Sequence, residues 1–166
     1  MATSAQMAAG DPTLIAAVQR ARKLLHRRAL AAAAASVVPI PGLDWAVDAA
    51  LLSRLVPQIS AEFGLSAEQL DQLDPNKREQ VQKAVGLVGS VLIGKMITRE
   101  VILRLTQSMG LRFTTKQVAK YVPLAGQALA ATMGYATLRY LGEQHLRDCV
   151  RVVQQSGLKL QGPGLQ

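Results

Sequence analysis

Apolar residues return at intervals of three and four along most of this chain, the spacing that places side chains on one face of an α-helix. Residues 43–63 show this pattern clearly, and residues 124–155 continue it over a longer distance. The apolar face of the first segment consists of Leu52, Leu55, Val56, Ile59 and Phe63, and that of the second of Leu138, Leu141, His145, Cys149 and Val152. No segment alternates apolar and polar residues as a half-buried strand does. The pattern therefore predicts an all-α fold.

Signals for helix ends divide this pattern into separate helices. Side chains suited to cap a helix N-terminus stand at Asp11-Pro12, Ser66 with Gln69, Asp74-Pro75 and Thr114 with Gln117. Glycines suited to end a helix are Gly64, Gly110 and Gly157. The predicted helices cover residues 12–36, 43–63, 67–73, 75–109, 115–121 and 124–155.

We expect these helices to form one domain over residues 11–157, a compact bundle of about six helices. A chain of 166 residues suits a single domain. Residues 1–10 and 158–166 lack periodicity, so both ends are expected to be disordered.

Two short segments of the chain resemble each other. Residues 38–47 read VPIPGLDWAV and residues 122–131 read VPLAGQALAA, with valine, proline, glycine and alanine at matching positions. Each would contain a Pro-Gly turn that breaks one helix and starts the next. The residues of these two turns are Pro39, Pro41, Gly42, Pro123 and Gly126. An internal duplication and a chance likeness between two apolar helix starts both remain open.

Composition adds a strong positive charge to this picture. Hydrophobic residues make up 49% of the chain, enough for a packed core, and the formal net charge is +8. Such a balance favours anionic partners, either nucleic acid or the anionic cytoplasmic face of a membrane. Cys149 is the single cysteine, so no disulfide can form within the chain and a cytoplasmic location is the simpler interpretation.

The densest group of basic residues lies in the first predicted helix, with no acid among them. Its members are Arg20, Arg22, Lys23, Arg27 and Arg28. They are candidates for contact with anionic lipid, whereas an ordinary solvated helix face is the competing interpretation. Nucleic acid is the weakest of the three, because no aromatic residue interleaves with the cluster and no nucleic-acid motif accompanies it.

Two pairs of residues that could carry chemistry are each spaced by four positions, Asp44 with Asp48 and His145 with Cys149. Asp44 and Asp48 begin a predicted helix, where acids are favoured by the helix dipole. Asp48 also falls on the apolar arc, so we expect it to form an ion pair across helices. His145 and Cys149 could begin a metal or nucleophile site, but zinc needs three or four ligands. We therefore expect both to pack in the core, with no metal, no cofactor and no catalytic residue.

Small residues recur every four positions in one segment, at Gly126, Ala130 and Gly134. A looser row is formed by Gly86, Gly89 and Gly94. Such rows let two helices approach closely, either inside a membrane or inside a soluble bundle. The sequence leaves these two settings open.

Two stretches carry a resemblance to a known family. One is Pro39-Ile40-Pro41-Gly42-Leu43-Asp44, followed by a long apolar helix, and the other runs from Val122 to Gly126 and resumes at Gly134. With the spacer between them they cover about residues 37–142. This region resembles the helical domain of unknown function found in YcjF-type inner-membrane proteins and after the GTPase domain of some Era-like GTPases.

The resemblance implies a helical, membrane-associated domain without enzymatic activity that is attached to a GTPase or encoded beside one. The chain departs from these families in two respects. It has no Gly-x-x-x-x-Gly-Lys-Ser/Thr phosphate loop, and it has no stretch of about 20 uninterrupted apolar residues. The first departure means that this chain is not the GTPase itself, and the second argues against integral insertion, although whether a helix inserts in a membrane stays open.

The leading hypothesis is a bacterial, non-enzymatic helical interaction module at the cytoplasmic side of the inner membrane. It would be peripheral, would bind a protein partner or itself, and would act with a GTPase. The alternative hypothesis is a soluble protein-binding module, of the antitoxin or immunity type, that covers a protein partner.

Overall fold

The computed structural model describes residues 3–35, 44–90, 92–93 and 123–160. Six helices lie in these residues: α1 (Ser4–Met7), α2 (Pro12–Ala35), α3 (Asp44–Glu62), α4 (Ala67–Asp71), α5 (Pro75–Val88) and α6 (Pro123–Ser156). The described part of the chain contains no strand. The prediction of an all-α bundle of about six helices is confirmed.

The capping signals explain where most of these helices begin. Asp11 Oδ1 accepts hydrogen bonds from the backbone of Thr13 and Leu14 at the start of α2, and the Asp74 side chain accepts one from the backbone of Lys77. Ser66 and Gln69 form the predicted capping box. These contacts satisfy N–H groups that the first turn of a helix leaves without partners.

The predicted helix over residues 75–109 is wrong, because α5 ends at Val88. Gly89 adopts a left-handed conformation with φ of 71°. Its backbone N–H donates to the carbonyl oxygen of Val85 at 3.0 Å, and Ser90 N–H donates to the same oxygen at 3.3 Å. This glycine therefore serves as a C-cap, not as part of a small-residue row within a helix.

The two ends of the chain, for which the sequence predicts disorder, contact the rest of the fold where the structure describes them. Residues 3–10 contain α1, which a capping box between Thr3 and Gln6 begins. This segment is held on α6, because Gln154 Nε2 donates to the Met7 carbonyl at 2.6 Å. Beyond α6, Leu158 and Leu160 pack against the core. These tertiary contacts order short segments that have no periodicity of their own.

Helix α6 organises the bundle, since it lies against α1, α2, α3 and α5. Its partner α2 runs antiparallel to it, as Arg22 meets Glu143 while His26 meets Tyr135. The buried side chains of both helices form one core together with α3 and α5. The largest fully buried members of that core are Leu14, Leu25, Leu55, Ile59, Phe63, Leu65 and Leu146.

The closest approach between α2 and α6 occurs at Gly142. A Cβ atom on this residue would lie 2.7 Å from Leu25 Cδ2 and 3.0 Å from Leu25 Cγ, and nearer still to Cδ1. Leu25 is itself fully buried, so the packed core leaves its side chain little room to shift. By contrast, a Cβ on Gly86 or Gly134 would meet nothing within 4 Å in the described structure. Neither of these two members of the predicted small-residue rows therefore marks the close contact.

Several predicted motif residues fall outside what the structure describes. Pro39, Pro41 and Gly42 belong to that part of the chain, as do the side chains of Asp44 and Asp48 at the start of α3. The ion pair expected of Asp48 and the internal duplication therefore stay predictions.

The second Pro-Gly segment is described at the level of the helix. Helix α6 begins at Pro123, as proline at a helix start favours, and it continues through Gly126 and Gly134 without ending. Gly126 is therefore a residue of the new helix.

Replacing Gly142 with alanine should lower the free energy of unfolding by about 1–3 kcal/mol, the usual cost of overfilling a packed core. Gly134→Ala, at an uncrowded position of the same helix, is the matched control and should raise stability by up to about 1 kcal/mol through helix propensity. Urea unfolding of the two variants measures both effects. Equal stability of the two variants would contradict the close approach.

Candidate interaction surface

Two members of the predicted basic cluster are used inside the fold. Arg20 Nε lies 2.6 Å from Glu62 Oε2 and so joins α2 to α3. Arg22 binds Glu143 of α6 through two hydrogen bonds, at 2.7 Å from Nη2 and 3.3 Å from Nε. A paired guanidinium and carboxylate of this geometry form a strong, directional contact. Both arginines are therefore structural residues first, and the expectation that they meet lipid is not supported by their positions.

Glu143 is the centre of a larger polar cluster. Besides Arg22 it accepts hydrogen bonds from the Ser4 backbone N–H at 3.0 Å and from Ser4 Oγ at 2.8 Å. Burial raises the pKa of this carboxyl, but the hydrogen bonds from Arg22 and Ser4 outweigh burial and hold the pKa below its ordinary value. The charged carboxylate thus ties α1, α2 and α6 together.

The other three members of the cluster remain available. Lys23 and Arg27 are exposed and make no ion pair with any described residue, while Arg28 makes only a long hydrogen bond of 3.5 Å to Gln58. Lys23, His26, Arg27 and Leu30 follow the spacing i, i+3, i+4 and i+7, so they share one face of α2. Leu30 is 50% exposed on that face.

Helix α6 adds a cation to this face beside His26. Arg139 Nη1 lies 3.5 Å and Tyr135 Oη lies 3.2 Å from His26 Nδ1. The Tyr135 ring meets the His26 ring edge to face at 6.4 Å, and the Arg139 guanidinium lies 6.0 Å from the Tyr135 ring centre. We call Lys23, His26, Arg27 and Arg139 the α2–α6 basic face.

Sequence reasoning missed half of this face. It placed neither Arg139 nor His26 on a binding surface. Because 113 positions separate the two residues, no local pattern could have joined them. The lack of acids near Lys23 and Arg27 was the only signal in the sequence.

A second polar cluster is buried between α3 and α6. His145 Nε2 lies 2.9 Å from Ser60 Oγ and 3.6 Å from Cys149 Sγ. Burial lowers the pKa of His145 to about 4. The Val56 carbonyl opposes this shift, but Nδ1 makes no hydrogen bond of good geometry in the described structure. His145 is therefore neutral at physiological pH.

The predicted core position of His145 and Cys149 is confirmed. Both side chains are buried, and burial also raises the pKa of the Cys149 thiol, which leaves it protonated and poorly nucleophilic. No group of three His, Cys, Asp or Glu side chains suited to a metal occurs among the described residues.

One segment comes close to a phosphate-binding loop. Gly89, Gly94 and Lys95 have the spacing Gly-x-x-x-x-Gly-Lys, but Met96 stands where a serine or threonine hydroxyl would bind Mg²⁺. In addition, Gly89 follows the C-terminus of α5 rather than a strand. The carbonyl groups at a helix C-terminus carry partial negative charge and repel phosphate. Both features argue against nucleotide binding here.

Comparison with known proteins relates the chain to GTPases. It is 28% identical over 152 residues to interferon-inducible GTPase 5 of Bos taurus and equally to that of Rattus norvegicus, over 86% of this chain. The chain spans about a third of the length of these relatives, 32%. No family model matches it, and no solved structure is significantly similar.

The comparison bears on two expectations from the sequence. The link to GTPases is supported, whereas the more specific likeness to YcjF-type and Era-like proteins stays a prediction. Both relatives come from mammals, so the expected bacterial source gains no support.

The buried neutral His145 should make the fold sensitive to acid. In the unfolded chain a histidine takes up its proton near pH 6.5, whereas in the fold the pKa of His145 is about 4. Stability from this residue is thus complete above about pH 6.5 and is lost as the pH falls towards 4, by at most about 3 kcal/mol.

Urea unfolding near pH 7 and near pH 4 tests this, with His145→Gln as the comparison. Carboxylates such as Glu143 titrate in both proteins, so the difference between the two pH dependences isolates His145. The wild type should lose more stability than the variant on acidification. An identical loss in both would contradict the buried neutral imidazole.

Proposed function

We propose that this chain is a non-enzymatic helical interaction module that acts with a GTPase and docks peripherally on the anionic cytoplasmic face of a membrane. The observation that carries the docking proposal is the α2–α6 basic face. Lys23, Arg27 and Arg139 of that face form no ion pair with the described residues, although the two arginines beside them do.

Charge and exposed apolar surface support peripheral docking. Each cation near an anionic leaflet contributes about 1 kcal/mol, within a Debye length of about 8 Å. Leu30 beside these cations can add burial of apolar surface. Three or four such contributions give reversible binding. None of the described helices has the length and apolar character required to cross a bilayer.

The similarity to interferon-inducible GTPase 5 supports the GTPase partner. The matched stretch corresponds to only part of those proteins, and the segment from Gly89 to Met96 lacks the features of a nucleotide site. We therefore assign nucleotide chemistry to the partner and recruitment to this chain.

Vesicle flotation tests the docking surface. Wild-type protein should float with vesicles that contain phosphatidylglycerol, bind less as salt rises, and bind neutral phosphatidylcholine vesicles weakly. The variant with Lys23→Gln, Arg27→Gln and Arg139→Gln should lose at least about tenfold in affinity, because the three lasting cations of the α2–α6 basic face are removed. Arg20 and Arg22 are left intact, since their loss would break contacts between helices.

The matched control removes the same charge elsewhere, with Arg78→Gln, Lys83→Gln and Lys159→Gln. These exposed residues lie outside the α2–α6 basic face, so the control should retain binding. An equal loss in both variants would contradict a defined docking face. Absence of binding to any vesicle would instead favour the soluble protein-binding alternative.

A further inference from the structure

In the cluster of His26, Tyr135 and Arg139, the same ring nitrogen of the imidazole faces both neighbouring side chains. Tyr135 Oη and Arg139 Nη1 both approach His26 Nδ1, at 3.2 and 3.5 Å. A guanidinium can only donate hydrogen bonds. In the neutral tautomer that accepts a hydrogen bond at Nδ1, the imidazole proton lies on Nε2.

The outward side of this cluster consequently offers hydrogen-bond donors. His26 Nε2–H, the remaining N–H groups of Arg139 and the Lys23 ammonium one turn earlier on α2 all donate. Glu143 lies one turn after Arg139 on α6, and it already accepts hydrogen bonds from Arg22 and Ser4. No described carboxylate neutralises Arg139 or Lys23.

Contacts among the rings also hold the guanidinium in place. Tyr135 lies edge to face with His26 and beside the Arg139 guanidinium, at 6.4 and 6.0 Å. Tyr135 is half-buried between the helices. A side chain that is already positioned loses less conformational entropy when a ligand binds.

We infer that His26, Arg139 and Lys23 bind a phosphomonoester carried by the headgroup of an anionic lipid, which rests on the proposed membrane docking. A phosphomonoester has three acceptor oxygens and a charge between about −1.5 and −2, and these match a site made of donors and cations. Arginine in particular binds phosphate oxygens through two parallel hydrogen bonds. A phosphodiester carries a single charge and two free oxygens, so it satisfies fewer of these donors.

The test compares two vesicle compositions of matched surface charge, one with phosphatidic acid and one with phosphatidylglycerol. Wild-type protein should bind phosphatidic acid roughly five- to tenfold more tightly, as expected for added charge-assisted hydrogen bonds. Arg139→Gln should abolish this preference while binding to phosphatidylglycerol persists through Lys23 and Arg27. Arg151→Gln removes the same charge from an exposed position of α6 and should keep the preference.

Two other results of this vesicle comparison would overturn the inference. Equal binding of wild type to both vesicles overturns phosphomonoester recognition and leaves the proposed docking intact. A preference that survives Arg139→Gln overturns the assigned site.

If neither vesicle binds, membrane docking has failed, and titration with inorganic phosphate followed by NMR of the His26 ring then judges the site. A saturable shift that Arg139→Gln removes would retain the site, with free phosphate as its ligand. No shift would overturn it.

Discussion

The contact of Leu25 with Gly142 sets the distance between α2 and α6, and the polar contacts between these helices depend on that distance. The Leu25 side chain packs directly against the backbone of α6 because residue 142 has no side chain. On α2, Arg22 lies one turn before Leu25 and makes both of its hydrogen bonds to Glu143. His26 directly follows Leu25 and contacts Tyr135 and Arg139. A Cβ at the crossing would separate the helices and lengthen these contacts.

This crossing also divides the basic residues of α2 by direction. Arg20 points towards α3 and Arg22 towards α6, where each finds a carboxylate. Lys23 and Arg27 are exposed and form no ion pair with the described residues. Of the five cations in nine positions of this helix, two therefore join helices, and Lys23 and Arg27 stay exposed on its surface. The function proposed for the chain follows from this division, because only cations without an internal partner add attraction to a surface.

In contrast to the exposed cations of α2, His145 and Cys149 are buried in the core. Both residue types can take part in chemistry, yet the core around them holds the imidazole neutral and the thiol protonated. Their spacing by four positions results from the face of α6 that meets α3. The candidate functional residues of the described structure are therefore found outside the core, on the α2–α6 basic face.

The sequence by itself determined the all-α class and most helix starts, the caps at Asp11, Ser66 and Asp74, and the core position of His145 and Cys149. These features depend on residues within a turn or two of each other, so a linear pattern contains them. It also placed five cations on one helix. It did not separate Arg22 from Lys23, because adjacent cations look alike until their neighbours are known.

The tertiary structure alone decided which cations pair within the described residues and where the helices touch. Arg22 and Glu143 are 121 positions apart, and His26 and Arg139 are 113 apart, so their pairing depends on how the helices pack. The same holds for Gly142, whose need for glycine comes from Leu25 on another helix. Glycines at helical spacing, such as Gly134, suggested a close contact by pattern alone. The contact formed instead at the glycine that the antiparallel packing of α2 and α6 placed against a buried leucine.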